Sequence, residues 1–214
     1  SNIVTLRCGI LVENFGLESL LRDREEQPDT DGDGDPDFAT VRDVDESFAV
    51  VQPYLQGRFR LTENITLNAG LHSLYSSLNE QFVFEPRAGI KYNFSNSQTL
   101  SFGYGLHHQP APLPLLIINE NSNGETIQTN RNLDFVRSSH YVLGYDIKLA
   151  ANWRGKIEVY YQDIDNALVE PFPSSYSSLT EGADLVFDND RVSLENDGTG
   201  FQQRILWFIN RVFF

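Results

Sequence analysis

The chain has 214 residues, of which 30 are acidic and 16 are basic. Its net charge of −14 excludes a general nucleic-acid binder, which needs positive charge to displace the counterions around phosphates. The single cysteine, Cys8, excludes an intrachain disulfide. No run of about 18 apolar residues is present, which excludes a membrane-spanning helix but leaves barrel strands open.

Alternation of apolar and polar residues predicts strands along most of the chain. In residues 99–109, Leu100, Phe102 and Tyr104 fall on one face, and smaller or polar residues fall on the other. Most of the predicted strands match or exceed the ~9–11 residues that a tilted strand needs to cross a bilayer. The eight predicted strands are 3–14, 48–61, 65–77, 82–94, 99–109, 136–149, 156–166 and 199–213.

Between the first two predicted strands lies the stretch DTDGDGDPD, residues 29–37, which we call the aspartate run. Its spacing approaches that of an EF-hand calcium loop, but Thr40 stands where a bidentate glutamate is needed. The run therefore resembles the Asp-rich calcium repeats of extracellular proteins, and we predict Ca²⁺ there. The alternative is a solvated acidic loop tip in which Asp and Gly make turns. The candidate metal ligands are Asp29, Asp31, Asp33, Asp35 and Asp37.

The lengths of the connections predict the topology. Three are long, at 15–47, 110–135 and 167–198, and these are the first, fifth and seventh in order. Odd-numbered connections of an up-and-down meander lie on one side, so all three share a side, which is typical of the extracellular loops of outer-membrane barrels. Residues 108–116 are rich in proline and predict an extended start to the second long connection.

The predicted fold is therefore all-β. It is an antiparallel up-and-down meander that forms a transmembrane β-barrel or part of one, with about eight strands of a larger barrel in a single segment over 1–214. A soluble β-sandwich would show the same alternation with its apolar face inward. A calcium-stabilised β-sandwich or an adhesin-like binding or structural module thus stays open as the alternative.

Catalytic chemistry is not predicted. Asp146 and Glu158 lie on predicted polar faces, but no nucleophile, partner base or zinc spacing accompanies them, so a glycan hydrolase finds little support. Among the four histidines, His107 and His108 are adjacent and should point to opposite faces of a strand, so they cannot both bind one metal. We predict a lumen-facing or interfacial role for the four, which are His72, His107, His108 and His140.

The C-terminal segment, residues 199–214, is atypical for a barrel strand. Leu206 and Phe208 alternate with other residues, but Ile205 and Trp207 make the second face apolar as well. We expect a truncated or frameshifted end, with the C-terminal aromatic signal of outer-membrane proteins as the alternative. The chain also has no methionine, even at position 1, so we expect it to come from something longer.

A series of segments in a fixed order resembles the barrel of TonB-dependent outer-membrane receptors, and most of all the Bacteroidota type. These segments are LTENITLNAGLH, EPRAGIKYNF, LSFGYGLHHQ, SSHYVLGYDIKL, KIEVYYQ and ENDGTG, and the resemblance covers roughly residues 48–200. It implies an outer-membrane barrel of about 22 strands that is closed by a plug domain. This chain would be a partial, C-terminal portion of that barrel.

The resemblance also implies a function and a set of partners. Receptors of this kind take up scarce nutrients such as iron chelates, cobalamin or glycans, with energy supplied by TonB, ExbB and ExbD. The chain would contribute barrel wall and long extracellular loops in contact with outer-membrane lipid. TonB would act through a plug region that we do not find in this sequence, and the ligand would be a small nutrient of unknown identity.

Overall fold

Nearly all of the regular structure in this computed structural model is one antiparallel sheet. The structure describes residues 3–23, 32, 34–35, 37–118, 120–122, 125–150, 152–180 and 193–211. The strands are β1 (Val4–Asp23), β2 (Ala39–Arg60), β3 (Ile65–Ser76), β4 (Gln81–Ser95), β5 (Gln98–Gln109), β6 (Glu120–Ser122), β7 (Glu125–Ile127), β8 (Val136–Ala150), β9 (Trp153–Val169) and β10 (Glu195–Arg211). The helices are α1 (Leu113–Leu116) and a 3-10 turn (Thr129–Asn132).

The sheet confirms the predicted up-and-down meander. Its order is β1-β2-β3-β4-β5-β8-β9-β10, so each long strand pairs with the next long strand in the chain. The strands β6 and β7 form a separate two-stranded hairpin within the connection between β5 and β8. The long connections therefore leave the sheet at one end, which we call the long-connection end. Within the described residues, no helix is long and apolar enough to cross a membrane.

One face of the sheet, which we call the outer face, is apolar from edge to edge. Side chains directly opposite one another on neighbouring strands share a face, so the register defines rows across the sheet. Phe102, Leu143 and Ile205 in one such row are 46%, 48% and 69% exposed. A sandwich core would need a second sheet against them, and the described residues place none there. This row is Val4, Phe59, Leu67, Ile90, Phe102, Leu143, Val159 and Ile205.

The first two strands extend further than the sequence analysis predicts. β1 continues to Asp23 and β2 begins at Ala39, so the predicted loop 15–47 is too long and is corrected to 24–38. The alternation continues, but the polarity of the faces reverses. The outer face of β1 is apolar up to Val12 and then carries Asn14, Gly16 and Glu18, while the opposite face carries Phe15 and Leu17. This reversal ended the predicted strand early.

The other two long connections also differ from the predictions. β9 and β10 shorten the predicted loop 167–198 to 170–194, whereas 110–135 keeps its predicted bounds. The predicted extended start at 108–116 is confirmed up to Pro112 but is wrong beyond it, because Leu113–Leu116 form the short helix α1. The connection is thus a folded structure with its own core.

The last strand confirms that both faces of the C-terminal segment are apolar. β10 pairs with β9 along most of its length, and its outer face carries Ile205 and Trp207. On the other face, Leu206 lies opposite Glu158 and Phe208 lies opposite Lys156. Residues 212–214 lie outside the described part of the chain.

Candidate functional site

The second face of the sheet, which we call the polar face, concentrates cations at the end with the short turns. Three successive rows over β1 to β4 carry five basic residues and no carboxylate, although the whole chain has a net charge of −14. The charges of this region are therefore opposite in sign to the average of the chain. The rows are Arg60, Thr66 and Lys91; then Thr5, Arg58, Asn68 and Gly89; then Arg7, Gln56, Gly70 and Arg87.

A cavity of about 510 Å³ lies among these rows. Arg7, Arg58 and Arg87 line it together with the amides of Gln56 and Asn68. Guanidinium groups form strong, directional hydrogen bonds with carboxylate and phosphate oxygens. The arrangement can therefore hold an anion against the wall of the sheet.

Next to this cavity, the buried carboxylate of Glu85 is the centre of a polar cluster. Glu85 is 3% exposed. Its Oε2 accepts hydrogen bonds from His72 Nδ1 at 2.7 Å and from Arg87 Nη2 at 2.9 Å. Its Oε1 accepts one from the backbone N–H of His108 at 2.6 Å. The carboxylate thus joins β3, β4 and β5.

The register explains why Glu85 occupies this position. The ladder between β4 and β5 ends at the pair Arg87 and Gly105, while β5 continues alongside β8 to Gln109. Beyond that pair, the N–H of His108 has no backbone partner on β4. The side chain of Glu85 supplies the missing acceptor, since a buried N–H without a partner costs free energy.

A second group of polar side chains continues the cluster across β8 and β9. The rings of His107 and His140 lie 4.6 Å apart. His140 Nε2 is hydrogen-bonded to Ser138 Oγ at 2.7 Å, and its Nδ1 to Tyr160 Oη at 3.1 Å. Gln162 Nε2 donates to the same Ser138 oxygen at 2.6 Å. The hydrogen bonds fix the orientation of the His140 ring.

The four histidines lie in two pairs, His72 and His108 beside Glu85 and His107 with His140, an arrangement that the sequence does not predict. His107 contacts His140, whereas the ring of His108 approaches Glu85, with Nδ1 3.6 Å from Oε1. Within the ranges that the structure describes, no group of His, Cys, Asp and Glu is arranged to hold a metal ion. Arg87 donates a hydrogen bond to Glu85 and would compete with a metal ion for that carboxylate. Glu85 was the residue missed, because its role depends on the register of three strands.

The two carboxylates considered for catalysis are engaged in ion pairs. Arg154 forms a bidentate pair with Asp146, with Nε 2.8 Å from Oδ1. Lys156 Nζ lies 2.5 Å from Glu158 Oε1. Both pairs lie at the surface of the polar face. The first joins β8 to β9 and the second lies within β9, so their role is structural.

The predicted calcium site falls largely outside the described residues. Asp29, Asp31 and Asp33 are among the residues that the structure does not describe, while Asp35 is exposed and Asp37 is half-buried. Calcium binding at the aspartate run stays a prediction.

At the long-connection end, the connection 110–135 folds onto the polar face and forms what we call the loop core. Leu115, Ile117 and Ile118 are 2% exposed or less, and they cluster with residues from other parts of the chain. Leu17 and Phe48, which lie on the polar-face side of β1 and β2, pack against this cluster. The other members are Val44, Leu78, Ala111, Leu116, Leu133, Leu168, Tyr176 and Leu194.

Polar contacts tie the loop core to both sides of the sheet. Towards β2, Arg131 Nη1 donates to Glu46 Oε1 at 2.8 Å. Towards β10, the backbone N–H of Leu194 donates to the buried Asn130 Oδ1 at 2.8 Å, and Asn196 Nδ2 donates to the carbonyl oxygen of Asp134 at 3.0 Å. The connection therefore spans the polar face from the second strand to the last.

Comparison with known proteins identifies this architecture. The family described as TonB dependent receptor-like, beta-barrel matches residues 11–201. No curated protein sequence matches the chain. The sheet is similar to several solved outer-membrane protein structures at low sequence identity, which indicates a shared fold.

Three of these structures illustrate the similarity. The siderophore receptor PirA from Acinetobacter baumannii is 14% identical with a TM-score of 0.61, over 94% of this chain and 31% of that chain. The outer membrane transporter YddB from Escherichia coli is 11% identical with a TM-score of 0.61, over 98% and 28%. A ferric enterobactin receptor mutant from Pseudomonas aeruginosa, in complex with enterobactin, is 13% identical with a TM-score of 0.60, over 95% and 33%.

The chain therefore spans about a third of the length of each of these structures. The finer resemblance to the Bacteroidota type stays a prediction. Proteins of the matched family are transporters of the bacterial outer membrane and not enzymes. In such a barrel the apolar outer face contacts lipid and the polar face lines the lumen. With most of its length matched, the chain belongs to the TonB-dependent receptor family and forms part of its β-barrel.

Proposed function

We propose that this chain is the wall of an outer-membrane receptor that takes up a negatively charged iron chelate of the siderophore class. The main observation in support of this proposal is the set of cations on the lumen side, where Arg7, Arg58 and Arg87 surround one cavity. Ferric complexes of catecholates and carboxylates carry net negative charge, whereas most glycans are neutral. The names of the structural neighbours, which include siderophore and ferric enterobactin receptors, support the same class.

Uptake of radiolabelled iron by cells that produce the complete receptor tests this function. We expect uptake of ferric enterobactin to require both the receptor and TonB, and to exceed uptake of a neutral ferric trihydroxamate. TonB, with ExbB and ExbD, would act through a plug region of the complete receptor. Receptor-dependent uptake of cobalamin or a glycan, with none of any ferric chelate, would reject the proposed ligand class.

The long connections are proposed to be extracellular. In a Cys8→Ser background, Ser174→Cys in the connection 170–194 should react with an impermeant maleimide on intact cells. Asn96→Cys, in the short turn between β4 and β5, should react only after the outer membrane is permeabilised. Equal labelling of both positions on intact cells would contradict this orientation. Both residues are exposed, so access is governed by the side of the membrane.

Calcium at the aspartate run is expected to order one connection and to leave the barrel unchanged. Five carboxylates close together repel one another unless a cation screens them, and Ca²⁺ prefers such oxygen ligands. Removing Ca²⁺ with a chelator should speed proteolysis within 24–38, and Asp31→Asn with Asp33→Asn should abolish this dependence. Asp163→Asn, an exposed carboxylate on β9, is the control. Identical cleavage with and without Ca²⁺ would favour the solvated loop.

A further inference from the structure

We infer that the connection 110–135 is a fixed strap across the part of the barrel mouth that the eight long strands border, and that a transported ligand passes beside it without displacing it. The alternative is a lid that moves off the sheet to admit the ligand. The inference goes beyond the proposed function and takes from it only that the ligand enters at the long-connection end. A fixed strap narrows the mouth permanently, so it limits the size of ligand that the receptor admits.

The strap is attached to three separate parts of the sheet. Arg131 forms an ion pair with β2. At the start of β4, Gln81 Nε2 donates to the carbonyl oxygen of Leu133 at 3.2 Å. At β10, the backbone N–H of Asp134 donates to Asn196 Oδ1 at 2.7 Å, and Asn196 Nδ2 donates back to the carbonyl oxygen of Asp134 at 3.0 Å. A lid needs a free side that can turn away, whereas these contacts hold the strap across the width of its path.

Burial of aliphatic side chains fixes the strap more firmly than these polar contacts do. The side chains of Arg131 and Glu46 are 30% and 32% exposed, and exposed ion pairs stabilise little. By contrast, each of four successive aliphatic residues of the strap is at most 4% exposed. They cluster with Val44 on β2, Leu78 next to β4 and Leu168 on β9, so the core cannot leave the sheet together with the strap. The four residues are Leu115, Leu116, Ile117 and Ile118.

Moving the strap off the sheet would expose these four side chains to water. Burial of one such side chain shifts an equilibrium by about tenfold or more. Four together therefore favour the attached state by about 10⁴-fold or more. A ligand shifts an equilibrium only by the ratio of its affinities for the two states, so it would need a preference of about this size merely to open half of the molecules. These magnitudes favour the fixed strap over the lid.

Hydrogen exchange in the complete receptor, purified in detergent, tests whether the strap opens. The N–H of the buried Leu115 donates to the carbonyl oxygen of Pro112 at 3.0 Å. We expect it to exchange about 10⁴-fold more slowly than in an unstructured peptide, because exchange requires the strap to open. The matched amide is that of Thr180, which donates to the carbonyl oxygen of Ser177 at 2.9 Å but belongs to an exposed residue. Protection of Leu115 no greater than that of Thr180 would overturn the inference.

A reversible crosslink tests whether the strap stays in place during transport. In a Cys8→Ser background, Glu46→Cys with Arg131→Cys would be joined by a reducible bis-maleimide that spans the distance of the ion pair they replace. We expect cells with the joined receptor to take up ferric enterobactin at the same rate as after reduction. Each single-cysteine variant, treated with the same reagent, controls for modification alone. A loss of uptake that appears only in the joined double variant, and that reduction restores, would show a moving lid and would overturn the inference.

The two measurements separate this inference from the proposed function. Hydrogen exchange needs no ligand, so it decides between strap and lid whichever nutrient the receptor takes up. Absence of ferric enterobactin uptake before crosslinking would count against the proposed ligand class and would leave the protection of Leu115 as the deciding result.

Discussion

Replacing Glu85 by alanine will destabilise the receptor substantially. The change leaves His72, Arg87 and the N–H of His108 without their acceptor in a site where Glu85 is 3% exposed. Leaving a buried donor such as the N–H of His108 without its acceptor typically costs about 1–3 kcal/mol. We expect a loss of that order in the free energy of unfolding, measured by urea titration of the refolded barrel in detergent.

A graded series of variants separates the charge of Glu85 from its hydrogen bonds. Glu85→Gln keeps one acceptor oxygen but places an amide NH₂ where donors converge, so its loss of stability should be intermediate. Glu158→Ala is the matched control, because Glu158 lies on the same face and its ion pair is with the partly exposed Lys156. Such surface pairs contribute about 0–1 kcal/mol. A loss in Glu85→Ala no larger than that in Glu158→Ala would contradict the role assigned to Glu85.

The meander and its two faces could be predicted because both depend on local patterns. Residues such as Leu100, Phe102 and Leu143 alternate within single strands, and alternation needs no knowledge of neighbouring strands. Loop parity likewise needs only the order of long and short connections. The predicted first strand is too short because the apolar residues of β1 change to the opposite face at Asn14 and Phe15. A pattern that requires one apolar face therefore ends where this change begins.

The candidate site could not be predicted to the same degree because it depends on register. Arg7, Arg58 and Arg87 are far apart in sequence and meet only because three ladders align them. Glu85 is a polar residue on a predicted strand. It becomes the shared acceptor of the polar cluster only because the β4–β5 ladder ends early. A one-residue shift in any ladder would move these side chains to the opposite face.

The loop core was missed for a different reason. Residues 108–116, which lead into it, are rich in proline, and that pattern predicts an extended chain. The apolar residues Leu115 to Ile118 carried the contrary information, since a run of aliphatic residues in an exposed loop would be costly unless something covered it. In the structure they are buried against the polar-face side of β1 and β2.

Leu115→Ala is expected to loosen the loop core without unfolding the sheet. Leu115 is fully buried, and its removal leaves a cavity within the loop core. Substitutions of this kind cost about 2–5 kcal/mol. The loop core consists largely of the connection 110–135 and its neighbours, so the loss should appear as local opening of that connection. Limited proteolysis on intact cells should cleave it faster than in wild type.

The functional consequence follows from where the loop core lies. It spans the polar face at the long-connection end, from Glu46 on β2 to Asn196 on β10, so loosening it should disorder the proposed ligand entrance. We expect iron-chelate uptake to fall while heat-modifiable migration stays unchanged. Leu61→Ala is the control, because Leu61 is exposed in a short turn at the opposite end. Loss of heat-modifiable migration in Leu115→Ala would instead show that the loop core and the sheet unfold as one unit.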